Sequence, residues 1–333
     1  MADYKGIQGY TVQKLSSDPG TLSEVVGQLW YNSTTGKFKV AVQAAGAWAS
    51  GGDMNTTREM GAGMGLQTAA IYAGGSPTTT GPTELYNGST WTESGDTNTD
   101  RYGMGGAGTQ TAAIIISGTP PVTTNCETFN GSAWTEVANV NSGRLTGSSA
   151  SAGTTTATLF YGGGYGTPSQ SALSETWNGT SWSEGNNINT ARFSATGGGT
   201  TTAAIMGPGG NTPNIKKDET ETYDGTSWSE QADANTARSA TGYVGGQMTS
   251  TAALIAGGKS PAFSPIYATD LAESWNGTSW AAVAVLPGAR SEGCIMGTSA
   301  LTLYASGTTP GPGTNTSFEF DSSPVTAKVV TVS

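Results

Sequence analysis

Glu84-Leu85-Tyr86-Asn87-Gly88-Ser89-Thr90-Trp91, with Arg101 ten residues further on, is the stretch that decides how the rest of the chain reads. It recurs as Glu127-Thr128-Phe129-Asn130-Gly131, Glu175-Thr176-Trp177-Asn178-Gly179, Glu221-Thr222-Tyr223-Asp224-Gly225 and Glu273-Ser274-Trp275-Asn276-Gly277, each closely followed by Trp. Asn-Gly or Asp-Gly supplies the positive φ of a tight turn, so each copy reads as a hairpin whose second strand opens on Trp. One spacing sets the register. From Trp48, Trp91, Trp134, Trp182, Trp228 and Trp280 the next Arg lies ten positions on, at Arg58, Arg101, Arg144, Arg192, Arg238 and Arg290. The chain is therefore six copies of a unit of about 45 residues.

Between each Arg and the next hairpin the sequence turns small and β-branched and ends on Gly, as in Ala69-Ala70-Ile71-Tyr72-Ala73-Gly74-Gly75, and again at 112–118, 157–163, 203–210, 252–258 and 301–307. Such residues suit a pair of inner strands near a crowded axis. Four strands per unit around an axis predict an all-β fold, a six-bladed β-propeller. The first Trp strand, around Trp48, comes before any inner pair, whereas the last third-strand signal, Phe318-Glu319-Phe320-Asp321, has no Trp after it. The Trp48 strand is therefore expected beside Phe320, sealing the ring from near the N-terminus and removing an open edge.

Two pieces fall outside the repeat. Residues 27–40 carry a hairpin pattern of their own, with Asn32 to Gly36 as its turn, and could contribute to a seventh, irregular blade. The expected organisation is an N-terminal attachment segment over 1–42, a propeller over 43–324 and a tail over 325–333.

Composition narrows the function classes. Gly is 50 of 333 residues, but nine Trp, twelve Tyr and seven Phe recur at spaced positions, which disorder does not produce. A net charge of −10 with 14 basic residues speaks against a nucleic-acid partner, whose affinity comes from Lys and Arg displacing counterions. No run of 18 apolar residues and no signal-peptide pattern is present, so neither membrane insertion nor export by a signal of its own is expected. Cys126 and Cys294 lie in different repeats and are not expected to pair. The chain has no His, the commonest general base and metal ligand, and no zinc-spaced Cys pair. No catalysis, metal or cofactor is expected.

The Gly-Gly after an apolar run, the aromatic before Asn/Asp, the spaced Trp and the Arg opening the next unit resemble the kelch repeat, over residues 48–321. Kelch propellers include enzymes and binding modules, so this likeness implies the fold and leaves the function open. A leader of the type Tyr4-Lys5-Gly6-Ile7-Gln8-Gly9-Tyr10, with Gly27-Gln28-Leu29-Trp30-Tyr31-Asn32 and Gly36-Lys37-Phe38-Lys39-Val40 ahead of such repeats, resembles virion-associated proteins of tailed bacteriophages, especially marine ones. That resemblance implies a non-enzymatic structural or adhesive protein on the exterior of the particle, of tail-fibre or host-attachment type. It would join other virion proteins through residues 1–47 and present a propeller face to a host-surface glycan or protein. A carboxylate-based glycan-degrading enzyme and a purely architectural spacer are the alternatives.

Two candidate binding features follow. Arg58, Arg101, Arg144, Arg192, Arg238 and Arg290 could ring one mouth of the channel as a basic collar for an anionic ligand, or each could pair with a neighbouring blade's Glu or cap backbone carbonyls, as repeated charges usually do. The segments between second and third strands, 76–83, 119–126, 164–174, 211–220, 259–272 and 308–316, vary in length on the same face. Their Tyr165, Phe263 and Tyr267 could stack on a sugar. Asn87, Asn130, Asn178 and Asn276 match the glycosylation pattern, but the hairpin turn already requires Asn-Gly.

Overall fold

The structure, a computed structural model, describes residues 12–20, 28–43, 46–77, 81–164, 170–211, 215–240, 248–260, 268–309, 313–322 and 325–330. These residues contain strands and no α-helix, and they fall into two compact units, Met1–Ala47 with Asp321–Ser333, and Trp48–Phe320.

The second unit is the propeller. Its first blade runs from the inner strand Ala62–Leu66 through Ala69–Ala73 and Thr83–Tyr86 to the outer strand Trp91–Glu93, each antiparallel to the last. The second blade (Gly105–Thr109 to Trp134–Val137), the third (Leu145–Thr154 to Trp182–Glu184) and the fourth (Gly197–Thr200 to Trp228–Glu230) repeat this order. In the fifth, Ala253–Ala256, Ala272–Trp275 and Trp280–Ala282 are the described strands; the inner strand expected before them lies outside the described residues. The sixth consists of Cys294–Gly297, Leu301–Ala305, Ser317–Asp321 and, last in space though early in sequence, Ala47–Ser50. The Trp48 and Phe320 rings lie 5.0 Å apart, and Gly51 N–H donates to Ser317 C=O at 2.9 Å. The ring is closed as the strand count required.

Why these segments pack this way is visible in one blade. Tyr86 and Trp91 pair across the turn, their rings 4.9 Å apart, and the same aromatic pair recurs at Phe129/Trp134, Trp177/Trp182, Tyr223/Trp228 and Trp275/Trp280. Gly88 sits in the turn at φ 93°, a conformation costly for any residue with a Cβ, while Asn87 Oδ1 accepts from the amides of Ser89 and Thr90. The Asn side chains are thus occupied in holding their own turns. The outer Trp also ties blades together. Trp134 Nε1 donates to Thr83 Oγ1 of the blade before it, Trp280 Nε1 to Thr220 Oγ1, and Trp48 Nε1 to Ala284 C=O.

On the axis, glycines admit close neighbours. A Cβ on Gly61 would collide with the Tyr72 ring, whose hydroxyl accepts the Gly61 amide at 3.1 Å. Gly61→Ala is expected to lower stability by about 1–3 kcal/mol through overpacking, whereas Gly288→Ala, whose Cβ meets nothing within 4 Å, should be neutral. Thermal melts of the two variants against the parent chain check this.

The other unit corrects the expected division. The hairpin Leu29–Asn32 and Lys37–Gln43 forms as read, with Asn32 opposite Lys37. Val325–Val329 is not a separate tail: it pairs antiparallel with Lys37–Gln43. Gln13–Leu15 joins on the other side, parallel to the hairpin. This seventh main sheet differs in strand order from the six blades, contains a parallel pair and draws on both ends of the chain. The repeat itself accounts for six blades.

Candidate functional site

The six arginines stand where the chain enters each blade, and their surroundings follow from that place. Five do not form an open collar. Arg58 pairs with Glu84 at 2.7 Å, Arg101 with Glu127, Arg144 with Glu175 at 3.4 Å, Arg192 with Glu221 at 2.7 Å and Arg238 with Glu273 at 2.6 Å, and side-chain exposure in these pairs is at most 3%. The Glu belongs to the same blade, on its third strand, and not to a neighbouring one, while the other alternative, capping of backbone carbonyls, is met as well. The guanidiniums also bond the backbone, as Arg101 Nη1 does where strand two ends, to Ser117 C=O at 2.9 Å, and where strand three begins, to Asn125 C=O at 2.7 Å.

The carboxylate has a second task. Glu84 Oε2 accepts from the Asn55 amide at 2.7 Å, and the pattern repeats from Asn98 to Glu127, Asn141 to Glu175, Asn189 to Glu221 and Asn235 to Glu273. Asn-x-x-Arg and Glu thus form one buried device that clamps the linker between blades to the third strand. A buried ion pair is better tolerated the more of its remaining polar sites are satisfied, and the backbone groups bond the Nη atoms, while Nε of Arg58, Arg101 and Arg238 stays without a partner. Burial lowers the affinity of Arg58 and Arg238 for their protons, and the partner carboxylates oppose it.

The sixth blade departs from this. Pro287, which has no amide hydrogen, stands where the other blades have Asn, and Phe318 where they have Glu. Arg290 lies over the Phe318 ring, 5.2 Å from its centroid, and donates from Nη2 to Thr316 Oγ1 at 2.9 Å. It has no carboxylate partner among the described residues, and burial lowers its pKa.

Further in, the residue two past Arg in five of the six units lines the mouth of the channel. Met60, Gly103, Ser194, Ala240 and Glu292 all adopt positive φ, between 49° and 62°. Their backbones hydrogen-bond around the axis: Gly103 N–H to Met60 C=O, Met60 to Glu292, Glu292 to Ala240 and Ala240 to Ser194, at 2.7–3.2 Å. Next to this girdle, Glu292 pairs with Lys259 at 2.5 Å. Glu59 lies close enough to Glu292 that burial first, and then the charge of Glu292, raise its carboxyl above the ordinary range. Sequence reasoning missed Glu59, Lys259 and Glu292 because they stand at different positions of different repeats.

The loops between second and third strands emerge on this face, since Glu59 bridges to Ser76, Tyr102 to Thr119 and Ser291 to Thr308. Tyr165, Phe263 and Tyr267, the proposed stacking aromatics, lie outside the described residues. Both thiols are free and buried, Cys126 pushed up to about 11 and Cys294 to about 12 by burial, so neither is a ready nucleophile. No group of three metal-ligating side chains occurs among the described residues. A crevice between the fourth and fifth blades, lined by Thr196, Ile205, Met248 and Trp280, has no room for a water molecule and is part of the packing.

No known protein family matches the sequence, and no curated protein does. Among solved structures the chain is similar to YjhT, a β-propeller-like fold, with a TM-score of 0.66 and 12% identity over 83% of this chain and 99% of that one. At that identity the likeness establishes the propeller fold and nothing about activity.

Proposed function

We propose that the chain is a non-enzymatic structural and adhesive protein on the exterior of a tailed bacteriophage particle. It presents the loop-bearing face of its propeller to a host-surface glycan or protein, and joins other virion proteins through residues 1–47. The observation that carries this reading is the fate of the recurrent charges: five Arg and five Glu are spent in buried pairs inside their own blades. The scaffold is thereby rigid and uniform, and chemical variety is left to the loops, which is how a display platform is built. The separation of both chain ends into a second compact unit supports a division between display and attachment.

Purified protein should bind host cells saturably and release no reducing ends from host envelope polysaccharide; absence of binding sinks the adhesive reading in favour of a spacer. Deleting residues 1–42 in the phage should remove the protein from purified virions, read by immunoblot, while the isolated variant keeps its thermal transition. The glycan-degrading alternative draws on one observation, the Glu59 and Glu292 carboxyls at the mouth with Glu59 raised towards its protonated form. Sustained turnover of polysaccharide that Glu59→Gln abolishes would replace our reading with that one.

A further inference from the structure

From the asymmetry of the sixth blade we infer that Arg290 is a recognition site for a carboxylate carried by a ligand of the loop-bearing face, an inference that rests on the propeller face being the one that binds. The chain supplies its own template for the chemistry. Five guanidiniums at the equivalent place are each matched to a carboxylate of the same blade, and planar guanidinium–carboxylate pairing is the strongest contact this side chain makes. In the sixth blade the matching carboxylate is replaced by Phe318, and the amide donor that would accompany it by Pro287. The cation is present here while both of its companions are absent.

Arg290 is the least buried of the six, at 8% exposure against 0–3% for the others. Among the described residues, its one side-chain hydrogen bond goes to Thr316 Oγ1, where each of the other five has a carboxylate partner. The backbone of Arg290 bonds Thr269 C=O at 3.0 Å and the Gly258 amide at 2.7 Å, and Ser291 pairs with Thr308. Among the described residues the site is therefore flanked by Gly258, Thr269 and Thr308. Thr316 and Thr314, whose hydroxyls are 3.2 Å apart, add hydroxyl groups beside the cation. An acidic saccharide or an acidic peptide side chain meets this description, and the shared group is the carboxylate.

Labelling the full-length folded chain with phenylglyoxal and mapping the modified peptides tests this without a known ligand. The chain has six Arg, and the five paired ones react only through local opening, so Arg290 should be modified at least roughly tenfold faster. Sodium glucuronate at about 50 mM, suited to the millimolar affinity of a single charged contact, should protect Arg290. Glucose should not, and inorganic phosphate should protect less. Equal reactivity of all six, or no protection by glucuronate, overturns the inference; protection by phosphate as strong as by glucuronate overturns the carboxylate assignment. Should glucuronate protect Arg290 while the protein fails to bind host cells, the site stands and the adhesive reading falls. Where cells are bound, Arg290→Gln should weaken that binding and leave the melting temperature within a few degrees.

Discussion

Glu221→Ala is expected to destabilise the propeller by about 3–5 kcal/mol, the usual cost of stranding one member of a buried ion pair, and a large part of the total of a marginally stable fold. Glu221 Oε1 accepts from Arg192 Nη1 at 2.7 Å and from the Thr190 amide at 3.1 Å, and Oε2 from the Asn189 amide at 2.7 Å. The substitution leaves a guanidinium at 0% exposure without its counter-charge and two linker amides without acceptors. Urea unfolding followed by tryptophan fluorescence reads the loss. The double change Arg192→Met with Glu221→Leu should recover much of it, because replacing a whole buried pair by apolar groups is often neutral. Arg290→Met should cost about 1 kcal/mol or less, the worth of one cation–π contact. Equal losses for Glu221→Ala and Arg290→Met would mean that the buried pairs do not hold the blades.

Deleting residues 1–50 is expected to lower the melting temperature by roughly 10 °C or more and to cause aggregation. That deletion removes the outer strand of the sixth blade, and with it the Trp48–Phe320 contact and the Trp48 bond to Ala284. It uncovers Phe320, now 1% exposed, and leaves an unpaired edge on the strand Ser317–Asp321. Loss of the partly buried Trp48 adds to this, since it packs against the cluster that holds Phe320. Deleting residues 1–46, which spares Ala47–Ser50, should leave the propeller transition close to its original midpoint. If the two deletions melt alike, the ring is not sealed by the Trp48 strand.

The closure tested by those deletions was legible because it follows from counting: a Trp strand without a preceding inner pair and a third strand without a following Trp can only complete one another. The hairpin turns were legible for a local reason, since Asn-Gly encodes its φ within a few residues. The exceptional character of Arg290 was also in the chain, in Pro287 and Phe318, but it becomes readable only once Asn-x-x-Arg and Glu are known to be one device. Of the two structural alternatives for the arginines, capping of backbone carbonyls held, whereas the Glu lies in the same blade and not in a neighbouring one, because linear spacing cannot say which strand a long side chain will reach.

The sequence by itself determined the all-β repeat, the blade count, the turn positions and the sealing of the ring, because each rests on short-range periodicity copied six times. Tertiary structure alone decided that five arginines are buried with carboxylates of their own blades, that residues two past Arg in five of the six units form a hydrogen-bonded girdle, and that both chain ends share one sheet. Those outcomes depend on which groups lose water together when the ring closes, and desolvation is a property of the folded neighbourhood that no single repeat contains.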